Sequence, residues 1–368
     1  MAPAAVGDAA PGASASAAVG PAVGPDDTVL LIGVTGITGR CALDGLIAGG
    51  LRPGQLLAIS RSPSGAGAAA VAARGARVAA ADLDDPSSLA PHLSAARFVY
   101  VHALSGDAAS ADPSELRRGE ALAAALAARQ AAAAGAVSAV GGGGGGGAAP
   151  LGLVAYNSSA GRGANAGISQ ARMDQKHRVA DILMASGAPF LGLEATMFME
   201  EWWKKYTRPS IVNKGVFPFS LPADRTLQLV SARDMGLAAA AAFRDPASFA
   251  GRHLPLAGDE LTPPQMCAAF GAAQGGAPVK HSSPPAWLFW FLSRDLWRIT
   301  RFLRDTGYQA DVAACRAAVP GLLTFPEFLK ATHWGDAGRS YDDGFEFEPP
   351  AAGAAAEAGA AAAASEAG

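Results

Sequence analysis

Between Thr28 and about residue 195, short apolar runs alternate with segments of helical spacing. The run "TVLLIGV" (28–34) is almost continuously apolar, as a strand buried on both faces should be. It leads into "CALDGLIAG" (41–49), whose spacing is helical and which Gly49 and Gly50 bring to a stop. "QLLAIS" (55–60), "ARVAAADL" (76–83) and "RFVYVHAL" (97–104) give the second, third and fourth strands. Residues 114–134, "SELRRGEALAAALAARQAAAA", form the strongest helix by propensity, with Ser114 as its expected cap. "LGLVAYNSS" (151–159) is a fifth strand, 172–186 a helix closed by Gly187, and "PFLGLEA" (189–195) a sixth strand. Strands separated by helices at this spacing predict an α/β fold with a doubly wound parallel sheet of the Rossmann type.

After about residue 200 the pattern loosens into shorter elements such as "LQLVSARDMGLAAAAAF" and "RHLPLAG", broken by proline-rich turns. This predicts a dinucleotide-type domain over 28–200. A smaller α/β C-terminal subdomain over 201–348 would interleave with the sheet and fold over the carboxyl ends of its strands, where ligands bind in such folds. The leader 1–27 and the tail 349–368 are mostly Ala, Gly, Pro, Ser and Glu, too poor in apolar side chains to offset their ordering entropy, and are expected to be disordered. "GGGGGGG" (141–147) suits only a flexible insertion in a surface connection.

Composition narrows the function classes. The net charge is −3 and no Lys/Arg block stands out, which argues against a broad nucleic-acid surface. Three widely spaced cysteines (Cys41, Cys267, Cys315) form neither a disulfide framework nor a zinc spacing. His102, His253, His281 and His333 are scattered, so no metal site is expected. No Lys or Arg precedes Arg40, so neither a secretory nor a transit signal is indicated, and no apolar run approaches the ~20 residues of a membrane span. A cytoplasmic location is the expectation.

The chemistry concentrates at the first turn. Gly33, Gly36 and Gly39 make G-x-x-G-x-x-G, a departure from the commoner G-x-G-x-x-G, in the strand-to-helix context that a dinucleotide-binding turn requires. Glycines let the backbone approach a pyrophosphate, and the helix start adds unpaired N–H groups and the positive end of its dipole. Thr35 and Thr38 add hydroxyls, with Ile37 between them. At the end of the second strand stands "SRS" (60–62), with Arg61 flanked by Ser60 and Ser62 and no acid to receive a ribose 2′-hydroxyl. A guanidinium beside hydroxyls suits a 2′-phosphate, with Arg40 able to assist, so NADP(H) is preferred over NAD(H).

"VTGITGR", "AISRS", "ADLDD", "KHRVADILMASGAPFLGLEATMFMEEW", "LQLVSARDMG", "RHLPLAGDELTPPQM" and "GLLTFPEFLKATHW" occur in an order that resembles the NmrA-like family of atypical short-chain dehydrogenases over roughly 28–335. The resemblance implies that Asp82 and Leu83 sit beside the adenine, Ala103 and Leu104 near the adenosine ribose, and Asn157, Ser158 and Ser159 on the nicotinamide side. Glu194 occupies a place where relatives often carry arginine, which puts cofactor contacts from that strand in doubt.

Short-chain dehydrogenases generally use Tyr-x-x-x-Lys, the tyrosine protonating the carbonyl oxygen as hydride arrives. Here Lys176 is preceded four residues earlier by Arg172, which cannot serve as a general acid at neutral pH. Lys176 shares a helix face with Val179 and Leu183, while Asp174–Arg178 and His177–Asp181 are spaced to pair on other faces. The candidate catalytic set is therefore Lys176 as cofactor contact or proton donor, with Ser158 or Ser159 orienting the substrate. Two functions compete: an NADP(H)-dependent oxidoreductase acting on a small apolar carbonyl-type substrate, and a non-catalytic NADP(H) redox sensor regulating a protein partner.

One segment stands apart. On a single helix over 284–305, Leu288, Leu292, Leu296, Ile299 and Leu303 would form an aliphatic stripe toward the core. Arg294, Arg298 and Arg301 would lie opposite, flanked by Trp290, Phe291 and Trp297. A stripe packed on the core is the simplest account. The outer face would also suit a lid, a protein contact or peripheral contact with an anionic membrane.

Overall fold

A computed structural model of the chain describes residues 19–105, 112–139, 149–162, 171–341 and 347. The first half runs β1 (Val29–Ile32), α1 (Ile37–Ala48), β2 (Leu56–Ser60), α2 (Ala66–Ala72), β3 (Arg77–Ala80), α3 (Pro86–Ala95) and β4 (Phe98–Val101). It continues with α4 (Pro113–Ala139), β5 (Leu153–Ser159), α5 (Ala171–Ala185) and β6 (Phe190–Ala195). Then follow β7 (Met197–Phe198), α6 (Arg208–Lys214), β8 (Val216–Pro218), β9 (Leu227–Val230), α7 (Ala232–Arg244), α8 (Pro246–Phe249) and β10 (Arg252–Leu256). The chain closes with β11 (Asp259–Leu261), α9 (Pro263–Ala273), β12 (Lys280–Ser282), α10 (Ala286–Leu292), α11 (Arg294–Asp305), α12 (Val312–Ala318) and α13 (Phe325–Ala331).

The central sheet has seven strands in the order β10-β6-β5-β4-β1-β2-β3, every neighbouring pair parallel. This is the expected doubly wound arrangement. Strand order reverses at β1, so a crevice opens between the carboxyl ends of β1 and β4, where such sheets bind ligands. The unbroken apolar run of β1 has a direct cause. Val29 and Leu31 enter the core on one face, and Leu30 and Ile32 enter the core on the other.

The later chain is built into this sheet. β10 pairs with β6 at the edge, and α7 packs against α1 at very short range. A Cβ on Gly45 would stand 1.8 Å from the Arg233 carbonyl oxygen, and one on Gly236 would stand 1.8 Å from that of Ala42. A third core gathers Trp203, Phe217, Phe270, Phe325, Phe328 and Trp334. Within it the Arg208 guanidinium lies 4.4 Å from the Trp203 ring and 5.3 Å from that of Trp334. Two small sheets, β11-β9-β7 and β12-β8, frame this region.

Three boundaries differ from expectation. Order begins before residue 28: the Val23 amide donates to the Phe243 carbonyl at 2.8 Å, and Asp27 accepts from the Gly24 amide at 2.7 Å. The cap of α4 is Asp112 in place of Ser114, its carboxylate accepting from the Ser114 amide at 2.9 Å while Pro113 opens the helix. The aromatic segment is two helices, because the extended Ser293 ends α10 and its hydroxyl accepts from the Leu296 amide at 3.3 Å to cap α11. The glycine run 141–147 and the tail from 348 onward lie outside the described residues.

Candidate functional site

The glycine turn closes around backbone. Gly33 has a φ of +77°, and a Cβ there would meet the Ala103 carbonyl oxygen at 2.3 Å. Gly39 packs as tightly, its Cβ position lying 2.5 Å from the Gly33 oxygen, whereas nothing comes within 4 Å of a Cβ on Gly36. So Gly33 and Gly39 bind the turn to β4 and to itself, and Gly36 faces open space. Gly36 also begins α1 without any side-chain cap, leaving the first helical amides of Ile37 and Thr38 for a ligand. Arg40 folds back to donate to the Thr35 carbonyl at 2.8 Å.

At the outer rim, the Ser62 amide donates to Ser60 Oγ at 3.1 Å, and Arg61 stands exposed just beyond β2. The adenine side expected from the resemblance is held by a residue the sequence reading overlooked. Arg118 of α4 places Nη2 2.6 Å from the Asp84 carboxylate and donates from Nη1 to the Leu104 carbonyl at 2.8 Å. It thereby joins the Asp82–Asp84 turn to the loop after β4. Hydrogen bonds from Arg118 and Arg117 hold the Asp84 carboxyl well below the usual range. Asp82 accepts from the Asp84 amide at 3.0 Å, Leu83 is half-buried, and Leu104 is buried.

Across the crevice a buried polar network crosses from β4 to β5. His102 Nε2 lies 3.1 Å from Thr38 Oγ1, and its Nδ1 lies 3.0 Å from the Tyr100 hydroxyl. Asn157 Nδ2 donates to the His102 carbonyl at 3.1 Å. Burial, with the nearby Lys176 charge, pushes the His102 pKa down to about 3, so the ring is neutral at ordinary pH. His102 thus couples the glycine turn to β5. The alternation "YVH" at the strand end, which puts Tyr100 and His102 on one face, is the signal that could have found it.

Lys176 projects from α5 as expected, but it is paired. Its Nζ lies 2.9 Å from Glu115 Oε1, to which the Tyr156 hydroxyl also donates at 3.3 Å. Glu115 is only 4% exposed and was not foreseen, because 61 residues separate it from the lysine. His177 turns inward in place of pairing with Asp181, its Nε2 2.6 Å from the Ser159 carbonyl; Asp181 pairs with Arg162 at 2.8 Å. Glu194 is paired as well. Its burial would raise the carboxyl pKa, but His253 and Arg162, 3.3 and 3.0 Å away, outweigh that and hold it low.

These residues fit a dinucleotide. Gly36 offers an open approach to the start of α1, and two buried polar atoms at the end of β5, Asn157 Oδ1 and Ser158 Oγ, have no hydrogen-bond partner. Asn157, Ser158 and Ser159 lie together at the carboxyl end of β5 with Ser159 partly open. Among the described residues no group of three His, Cys, Asp or Glu side chains is placed to hold a metal ion, and no helix is long and apolar enough to cross a membrane.

The sheet order and the crevice at its reversal define a Rossmann-type fold. The model of the NmrA-like family matches residues 161–320, which bears out the resemblance drawn from the sequence. No curated protein matches the chain. Among solved structures, it is similar to the NADPH-dependent quinone oxidoreductase of Escherichia coli in complex with NADPH, at 20% identity and a TM-score of 0.64, over 82% of this chain and 99% of that one. The triphenylmethane reductase of Citrobacter sp. complexed with NADP(H) gives 14% identity and a TM-score of 0.60, over 82% and 99%. NmrA, a negative transcriptional regulator, in complex with NADP gives 16% and 0.60, over 83% and 95%. NmrA is also known in complex with NAD. At these identities the likeness shows the fold.

Proposed function

We propose that the protein binds NADP(H) in the crevice between the Gly33–Gly39 turn and the end of β5, and acts as an oxidoreductase on a small, apolar carbonyl-type substrate. The observation that carries the binding proposal is the open Gly36 approach to an uncapped helix start, with Asn157, tied to that helix through His102 and Thr38, keeping an unpartnered buried Oδ1 at the end of β5. Arg61, exposed and without a neighbouring carboxylate on β2, supports NADP(H) over NAD(H). The quinone oxidoreductase and triphenylmethane reductase among the structural neighbours are in keeping with this chemistry.

Bound there, the reduced nicotinamide supplies the hydride. The chain's own residues would then supply the rest. Ser158 or Ser159 orients the carbonyl by a hydroxyl hydrogen bond. Lys176 Nζ gives a proton to the oxygen as the carbonyl becomes an alcohol, and Glu115 holds the ammonium in place. Lys176 is 21% exposed, so it can regain a proton from water. His102 stays neutral and fixes Thr38 and Asn157 on the two lips of the crevice.

A second function, an NADP(H) sensor that regulates a protein partner, is favoured by Arg172 at the tyrosine place and by the engagement of Lys176 with Glu115. NmrA is described as a negative transcriptional regulator. Two measurements separate the functions. Calorimetric titration should give at least ~10-fold tighter binding of NADPH than of NADH, with the difference abolished in Arg61→Ala; equal affinities would remove the preference. NADPH consumption across quinones, aldehydes and enones should fall at least ~100-fold in Lys176→Ala. Turnover of none of them by the wild type, with NADPH still bound, would leave the sensor.

A further inference from the structure

The α10–α11 hairpin carries an aromatic ridge that the cofactor site does not use. Five large hydrophobic side chains are exposed among the described residues, and four of them, Trp287, Trp290, Phe291 and Leu296, fall within this one stretch. Trp287, Trp290 and Phe291 share one face of α10, and Phe291 is 77% exposed. The Trp290 ring meets Trp297 edge-on at 4.9 Å, which ties the ridge to α11. α11 is in turn anchored by Phe302 and Leu303 in the third core. The aromatics therefore stand on a supported platform with their outer edges in water.

The rim of this ridge is basic. Arg294 lies 4.8 Å from the Trp290 ring and Arg301 lies 5.1 Å from Trp297. Residues 286–305 hold four arginines against Asp295 and Asp305, a local excess of positive charge on a chain whose net charge is −3. Asp295 pairs with Arg298 at 3.3 Å, and Asp305 is shared by Arg301 and Arg304 at 3.3 and 2.8 Å, so four guanidinium groups on α11 face two carboxylates and a net positive charge remains there.

We infer that this hairpin docks on an anionic lipid surface, the tryptophans and Phe291 entering the headgroup boundary and the arginines pairing with lipid phosphates. Charge complementarity selects this occupant. A second copy of the chain would set the arginine rims of the two hairpins against each other, whereas a bilayer bearing acidic headgroups meets the aromatic ridge and the basic rim together. α11 also presents Phe302 toward Gly161 beyond the end of β5, where a Cβ would meet the ring at 2.9 Å. The docked face and the substrate side of the crevice therefore share one helix.

The test uses the full chain with extruded vesicles of phosphatidylcholine alone or mixed three to one with phosphatidylglycerol. We expect sedimentation with the mixed vesicles and at least ~10-fold less with pure phosphatidylcholine. The variants W287S/W290S/F291S and R294Q/R298Q/R301Q should each lose at least ~10-fold of that binding while keeping NADPH affinity. Brominated lipids provide a readout on the unaltered chain. They should quench the exposed Trp287 and Trp290, whereas Trp202, Trp203 and Trp334 are buried. Absence of sedimentation with anionic vesicles, absence of quenching, or a native dimer that the aromatic variant turns into a monomer would each overturn the proposal.

Discussion

The two lips of the crevice are made by different means. The glycine lip, Gly33 to Arg40, is made of backbone: glycines that remove Cβ atoms, an uncapped helix start, and an arginine folded onto its own turn. The opposite lip is made of side chains from four elements, with Tyr100 and His102 from the end of β4, Tyr156 to Ser159 from β5, Glu115 from α4 and Lys176 from α5. A backbone site tolerates changes where it is open and none where it is closed. A side-chain site depends on buried polar partners, so losing one strands the others.

The largest expected effect lies on the closed part of the backbone lip. Gly33→Val adds strain at a positive φ and a clash with a carbonyl that cannot move, and should cost about 3 kcal/mol or more. Chemical denaturation of the variant checks this; a loss under 1 kcal/mol would mean that the turn can open away from β4.

On the side-chain lip, Lys176→Ala leaves the buried Glu115 carboxylate with only Tyr156, and should destabilise by about 2 kcal/mol. The double variant with Glu115→Gln should recover much of that loss, because both partners are then neutral. If the two losses simply add, the ion pair is not what holds this lip together.

Protonation separates the lips from what lies behind them. His102 has a folded pKa of about 3 against an ordinary 6.5, so the unfolded chain binds more protons between those values. Its contribution to stability is present above pH 6.5 and is lost as pH falls toward 3. Glu200 has the opposite sign. Buried at the start of α7, with Ser231 Oγ donating to it at 2.8 Å and the Ala232 amide at 2.9 Å, its carboxyl is raised by burial from 4.5 to about 8. The folded chain there binds the extra proton, and stability falls as pH rises from 4.5 to about 8. Between pH 6.5 and 8 the Glu200 effect acts without the opposing His102 effect, at up to about 1.4 kcal/mol per pH unit. Urea midpoints should therefore drop across that window and flatten in Glu200→Gln, while His102→Gln should make the acid-side fall shallower without removing it, because the depressed carboxyls of Asp84 and Glu194 also lose their contribution in acid. A midpoint that rises from pH 6.5 to 8 would contradict the assignment.

The smallest effect on the fold should come from the open glycine. Gly36→Ala has room for its Cβ and should change stability by less than about 0.5 kcal/mol. NADPH affinity should nonetheless fall about tenfold, because that space is the approach to the helix start. Unchanged affinity would place the dinucleotide elsewhere and undo the comparison between the lips.

The same contrast governs how much was legible in the sequence. The strands of the parallel sheet and the glycine turn follow from local pattern, because apolar runs, helical spacing and missing Cβ atoms act within a few residues of themselves. Capping was less legible. Asp112 outcompeted Ser114 by sitting just ahead of Pro113, and Ser293 cut one expected helix into two. Lys176 was found from its motif position, whereas Glu115 and Arg118 were not, since nothing in "SELRR" marks which acid or arginine turns inward.

The sequence by itself determined the α/β alternation, the turn at Gly33–Gly39 and the lack of a tyrosine four residues before Lys176. These are properties of adjacent residues and survive any arrangement of the rest. Tertiary structure alone decided that His102 would join Thr38 to β5, that Glu115 would hold Lys176, and that Trp287, Trp290 and Phe291 would face outward on a folded hairpin. Each of these depends on which distant surfaces meet when the sheet closes and the apolar faces are buried, a choice set by the packing of the whole chain.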